Sequence, residues 1–128
     1  MKALDFIIRI KNAARAQRHE FVMPFSKLNL EIGKVMVKEG FLDEIKEETV
    51  EKRKALRVKI TYEKRTPRFY DTSIISKPSL RKYIGAKGIK DIEKRGKKTL
   101  IISTSQGIMT GKEAQKKNLG GMVIFTIW

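Results

Sequence analysis

The chain has no cysteine among its 128 residues. It therefore forms no disulfide, binds no metal through thiolates and carries no cysteine nucleophile. Histidine occurs once, as His19 between Arg18 and Glu20, and no spacing of His, Asp and Glu reads as a metal site. No glycine-rich phosphate loop ends in Lys-Ser or Lys-Thr. No apolar run approaches a membrane span, and the first ten residues already include Lys2, Asp5 and Arg9, which breaks up any signal-peptide core. Internal repeats and low-complexity tracts are lacking too. The chain is also short of negative charge: 14 Asp and Glu face 29 Lys and Arg, for a formal charge of +15. These absences predict a soluble, cytoplasmic protein, monomeric when free, with no catalytic residue, no cofactor, no metal and no membrane span. They also predict a polyanionic partner, because a surface field of that size favours nucleic acid or an anionic surface.

The charge is unevenly placed. Residues 39–63 carry six basic and seven acidic side chains, whereas residues 64–98 carry twelve basic and three acidic. One side of the protein should bind and another should be quiet. Pro67, in the segment Lys64 to Phe69, reads as part of a linker at this change of composition. The expected organisation is α+β: residues 1–65 form an N-terminal α/β domain with a short three-stranded sheet and two helices. Residues 66–128 form a smaller, mostly-β C-terminal domain with one short helix, on which the first domain packs.

Hydrophobic periodicity supports this division. Leu4, Ile7, Ile8 and Ala14 fall on one face of a helix over about residues 3–17, with Lys11, Arg15 and Arg18 as a separate basic stripe. Phe21 to Pro24 reads as a short strand. Ser26 is placed to cap a second helix whose face is Leu28, Ile32, Val35 and Met36, with Gly40 as its terminator. Phe41 to Lys46 reads as a strand and the charged run Glu47 to Lys54 as a hairpin loop. Leu56, Val58, Ile60 and Tyr62 alternate with Arg57, Lys59, Thr61 and Glu63, which is the pattern of a half-buried strand. Beyond the linker come strands over Thr72–Ser76, Arg81–Ile84, Thr99–Ser103 and Val123–Trp128, and a helical turn at Asp91–Arg95. A helix over Thr110–Asn118 has Thr110 as its cap and Glu113 three residues on.

The stretch from Ser103 through Thr104, Ser105, Gln106, Gly107, Ile108 and Met109 to Thr110 links an apolar strand to that last helix. Small hydroxyls and a glycine let backbone approach a polar partner closely, and a helix N-terminus adds partial positive charge. The same residues also serve ordinary turn chemistry, and their types alone do not separate the two readings.

This stretch, followed by Ala114 and by Leu119-Gly120-Gly121, resembles the signature of the universal small-subunit ribosomal protein eight family, in its bacterial form. Arg9 to Ala13, Met23-Pro24, Ser26 to Leu28, Glu39 to Phe41 and Ser76 to Pro78 with Leu80, Arg81 and Tyr83 resemble further family motifs in the same order, so the likeness runs along nearly the whole chain. The resemblance implies a non-enzymatic constituent of the small ribosomal subunit. Such a protein binds the central domain of the small-subunit rRNA early in assembly, lies beside neighbouring small-subunit ribosomal proteins, and represses translation of its own operon mRNA. It implies a main RNA contact at Thr104, Ser105 and Gly107. Met122 stands where the family usually has a glutamate, and the N-terminus is shorter than usual.

The candidate RNA-binding residues are thus Ser103, Thr104, Ser105, Gly107, Met109 and Thr110 of this stretch. Lys77, Arg81 and Lys87 join them from the most basic segment, where Lys82 and Lys90 also lie, to neutralise phosphates while the loop supplies selectivity. Tyr83 is placed either to stack on an unpaired nucleotide or to fill the core of its strand. Lys11, Arg15, Ser26 and Lys27 form a second candidate contact. Phe125 and Trp128 are expected to pack, His19 to be solvated, and Glu44, Glu47, Glu48 and Glu51 to form a solvated or protein-facing surface. An RNA-acting enzyme would need a base near Ser103–Thr110, where only Glu113 is available. A generic basic module for DNA or anionic membranes would show little preference among polyanions.

Overall fold

A computed structural model describes residues 2–63, 66–67, 72–74, 82–85, 88–89 and 99–128. Of the sequence expectations, the motif at Ser76 to Pro78 and the helical turn at Asp91–Arg95 lie outside them. The chain forms two compact units, Lys2–Phe69 and Tyr70–Trp128. Both are mixed or mostly β, and the architecture is α+β.

The first unit runs α1 (Lys2–Arg15), β1 (Glu20–Pro24), α2 (Lys27–Lys38), β2 (Leu42–Val50), β3 (Arg53–Ile60), β4 (Tyr62–Glu63) and β5 (Thr66–Pro67). Strands β1, β3 and β2 form an antiparallel sheet in that order. Period-two patterning puts Leu56, Val58 and Ile60 on one face of the central strand, and all three are buried. Ile32 and Met36 of α2, which packs on β2, are fully buried as well. The α2 start is the expected one: the Ser26 hydroxyl accepts a hydrogen bond from the Asn29 N–H at 3.4 Å.

The buried stripe of α1 is rotated from the expected one. Phe6, Ile7, Ile10 and Ala13 are buried, whereas Ile8 is 45% exposed and Ala14 only half-buried. Two apolar stripes overlap on this helix, and the one containing the phenylalanine removes more apolar area from water. The expected loop over Glu47–Lys54 is also corrected. Strands β2 and β3 continue to Val50 and Arg53 and are joined by Glu51 and Lys52 alone, at φ 51° and 65°. Two consecutive positive φ values are the requirement of a type I′ hairpin turn. The charged residues are therefore ladder residues: Arg57 bridges Glu48 at 2.7 Å and Glu20 at 2.9 Å, Lys59 pairs with Glu44 at 3.2 Å, and Lys54 with Glu47 at 3.4 Å. The hydrogen bond from Arg57 holds the Glu48 carboxyl below its ordinary range. A bulge at Asp43 lets its carboxylate accept from the Thr61 hydroxyl at 2.8 Å. The expected linker contains a small ladder, β4 pairing with β5 through Tyr62–Pro67 and Glu63–Thr66. The Tyr62 hydroxyl donates to the Arg18 carbonyl at 2.7 Å, and burial raises its pKa.

The second unit contains β6 (Thr72–Ile74), β7 (Lys82–Ile84), β8 (Thr99–Thr104), β9 (Gly107–Thr110), α3 (Gly111–Lys116) and β10 (Gly121–Ile127). Gly88 and Ile89 are helical. Strand β10 is the centre of the sheet: β8 lies along one side of it, with β9 beyond, while β6 and β7 share its other side end to end. Leu100, Ile102, Met109, Ala114, Val123 and Ile89 make one buried cluster, with Ile84 and Leu119 packed on it. Ile101, Phe125 and Ile127 are also fully buried. No described helix is long and apolar enough to cross a membrane.

Candidate nucleic-acid interface

The run from Ser103 to Thr110 is a β-hairpin and not an open loop. Strand β8 extends through Thr104, Ser105 and Gln106 make the turn, and β9 begins at Gly107, which pairs with Thr104. Ser105 and Gln106 keep negative φ, so the reversal falls on Gly107 at φ 111°, a conformation only glycine adopts without strain. The Thr104 hydroxyl fastens the turn from inside. It accepts from the Gln106 N–H at 3.1 Å and donates to the Gly107 carbonyl at 2.9 Å, with the Met109 sulfur a further 4.0 Å neighbour. A hydroxyl has one proton and two lone pairs, so one acceptor site is left on Thr104. Ser105 and Gln106 are exposed, and their side chains make no hydrogen bond with the rest of the described chain.

The hairpin stands on two glycines. Gly121 pairs with Thr104 on one side and with Ile84 on the other. A Cβ at Gly121 would overlap the Ser103 carbonyl oxygen, and one at Gly120 would lie 2.9 Å from the Gly85 Cα. Three backbones, those of β7, β10 and β8, thus converge at the base of the hairpin where no side chain fits. One row across this end of the sheet follows from the register: Tyr83 opposite Met122, Met122 opposite Ser103, Ser103 opposite Ile108. Paired residues share a face. Tyr83 is 71% exposed and the other three are half-buried. The result is an accessible strip, aromatic and apolar with the hydroxyls of Tyr83 and Ser103, beside the hydroxyl- and amide-bearing tip.

The expected site residues divide by this geometry. Ser103, Thr104, Ser105, Gly107 and Tyr83 come together at one end of the sheet. Met109 and Thr110 are buried: Met109 belongs to the apolar cluster, and the Thr110 hydroxyl caps α3 by accepting from the Glu113 N–H at 3.2 Å. The start of α3 is therefore four strand residues from Gln106, roughly 13 Å away. Helix partial charge acts only over about one turn, so the expected contribution of this N-terminus at the tip is lost. In the first unit, Lys27 and Arg15 are exposed and Lys11 is half-buried, while Ser26 is buried as a cap. Lys77, Arg81 and Lys87 lie outside the described residues. Gln106, Ile108 and Met122 share this surface but are not among the expected contact residues. Gln106 was legible, since it sits between Ser105 and the turn glycine; the other two join the strip only through strand order. Among the described residues no three His, Asp or Glu side chains are grouped to hold a metal ion.

Comparison with known proteins adds an independent line. The family model described as ribosomal protein S8 matches residues 3–128. A small ribosomal subunit protein uS8 of Mycoplasmopsis pulmonis is 40% identical over 126 residues, covering 97% of this chain and 93% of that protein. The protein of the same name from Acidobacterium capsulatum is 35% identical over 125 residues, with 97% and 94% covered. That of Trichormus variabilis is 38% identical over 126 residues, again with 97% and 94% covered.

Proposed function

Since the chain belongs to the ribosomal protein S8 family, a structural component of the small ribosomal subunit and not an enzyme, we propose that its β8–β9 hairpin is the element that selects its site on RNA. The observation that carries the reading is the tip: Ser105 and Gln106 offer free polar groups on a turn whose shape is fixed by Thr104 and Gly107. A rigid presentation matters because ordering a loose loop on binding would cost about 0.5–1.5 kcal/mol per immobilised side chain. RNA presents unstacked bases and 2′-hydroxyls, which suit small polar donors and acceptors. Tyr83, Met122 and Ile108 supply an adjacent surface for a base or ribose.

In this account the target is the central domain of the small-subunit rRNA, and the work is done in the cytoplasmic ribosome beside other small-subunit proteins. The same hairpin would bind a matching fold in the messenger of its own operon and repress its translation. Lys77, Arg81 and Lys87 act differently, as phosphate neutralisers that hold any RNA. Filter binding across a salt series separates the roles. Ser105→Ala with Gln106→Ala should weaken binding to small-subunit RNA while leaving the salt slope unchanged. Lys77→Ala with Arg81→Ala should weaken binding to all RNAs and make the slope shallower by about 0.7–0.9 per lost phosphate contact. Undiminished affinity in the hairpin variant refutes the proposal.

A further inference from the structure

The first unit holds an alcove that none of the preceding assignments uses. It has a volume of about 310 Å³ and is lined by Arg9, Asn12, Ala13 and Ala16 of the α1 end, by Arg18, and by Phe21 and Val22 of β1. That size is at the lower end of pockets that take small organic ligands. Its chemistry is mixed. Two guanidinium groups and a carboxamide accompany an aromatic ring, two alanines and a valine that is 39% exposed. Arg9 is held by Asp5 at 3.0 Å, whereas Arg18 has no carboxylate partner among the described residues. Glu20, the nearest acid on β1, is engaged by Arg57.

The backbone of β1 sharpens the reading. This strand is an edge of its sheet. Ile60 N–H donates to the His19 carbonyl at 2.9 Å and Phe25 N–H donates to the Lys54 carbonyl at 3.2 Å. Odd-numbered residues of this segment therefore turn their backbone groups toward β3, and Glu20, Val22 and Pro24 turn theirs outward. Val22 thus offers one N–H donor and one C=O acceptor at the alcove, the pair of groups that the edge of a nucleobase also presents. Pro24 has no N–H, so the edge cannot carry a long added strand. A compact ligand fits better than an extended peptide.

We propose that this alcove binds a single nucleotide extruded from RNA. The base lies against Phe21 and Ala16 with its edge on the Val22 backbone, and the phosphate lies on Arg18, with Arg9 exchanging Asp5 for it. The inference rests on the chain being an RNA-binding protein, but it concerns a different surface from the hairpin.

Backbone amide NMR of the full chain tests it. The probes are AMP, CMP, GMP and UMP, inorganic phosphate, and an acidic peptide of the type Asp-Val-Glu-Val-Asp. At least one of the nucleoside monophosphates should shift the Asn12, Phe21 and Val22 amides saturably. Ala16→Phe, which fills the alcove from an exposed position, should abolish the shifts, and Arg18→Ala should weaken binding about tenfold. No shift with any nucleotide up to about 10 mM overturns the proposal. Equal shifts with inorganic phosphate, or tighter binding of the peptide, overturn it as well. A titration with small-subunit RNA keeps the two surfaces apart. Shifts at both Ser105–Gln106 and Asn12–Val22 support it, shifts at the hairpin alone remove the alcove, and shifts at neither remove both assignments.

Discussion

Replacing Gly121 by alanine should damage the second unit out of proportion to the methyl group added. The new Cβ would overlap the Ser103 carbonyl oxygen and would lie 2.9 Å from its carbon and 3.2 Å from the Thr104 Cα. All three are backbone atoms, so no side chain can rotate away. Non-bonded carbon contacts are most favourable at about 3.5–4.0 Å, so β8 must withdraw from β10 by about 1 Å. Overpacking of this kind costs roughly 1–3 kcal/mol, and a broken ladder hydrogen bond about 1 kcal/mol more. In a unit of this size each kcal/mol lowers Tm by roughly 4–8 °C, so a fall of at least about 8 °C is expected. Gly85→Ala is the control, because its Cβ meets nothing within 4 Å. Gly107→Ala also meets nothing within 4 Å, but its φ of 111° should cost about 1–3 kcal/mol through backbone strain alone. Differential scanning calorimetry would measure all three. A Gly121→Ala protein as stable as Gly85→Ala, within about 0.5 kcal/mol, would refute the crowding argument.

Thr104→Val should loosen the hairpin by about 1–2 kcal/mol and weaken specific RNA binding, while Thr104→Ser retains both; equal behaviour in chemical denaturation and filter binding would remove the fastening role of the hydroxyl. The depressed Glu48 carboxyl contributes stability that is present above its ordinary value of 4.5 and is lost as pH falls through its folded value. The stability gap between wild type and Glu48→Gln should therefore close in acid, and a gap unchanged down to about pH 3 would contradict this. Tyr62 is shifted the other way, so its contribution is present below 10.0 and lost as pH rises through the folded value. Tyr62→Phe should remove a tyrosinate absorbance component that titrates above 10.0, and retention of that component would contradict the raised value.

Much of this architecture was legible because local patterns agreed with their surroundings. The alternation from Leu56 to Ile60, the Ser26 and Thr110 caps and the glycine after α2 all appear where the sequence puts them. The misreadings came from patterns with two solutions. Helix α1 carries two overlapping apolar stripes, and tertiary burial chose the one with Phe6. The Glu47–Lys54 run looked like a loop because its charges are polar, yet those charges pair across a ladder. The hairpin was hidden in the same way: Thr104 and Thr110 are small and polar, but β8 and β9 use them as strand residues. The strip of Tyr83, Met122, Ser103 and Ile108 joins residues from four strands. No window along the chain contains it, because only the order β7, β10, β8, β9 creates it.

The lack of cysteine makes the central claim directly measurable, since Lys112→Cys, at an exposed position just beyond β9, gives the chain a single thiol without altering Ser105 or Gln106. An iron chelate attached there and activated to release hydroxyl radicals cuts RNA only near the hairpin. With intact small-subunit RNA, cleavage should fall on a few adjacent nucleotides of the central domain and disappear when Gly121→Ala is added. Cleavage spread evenly along the RNA, or absent while binding persists, would contradict the assignment of the β8–β9 turn as the site-selecting element.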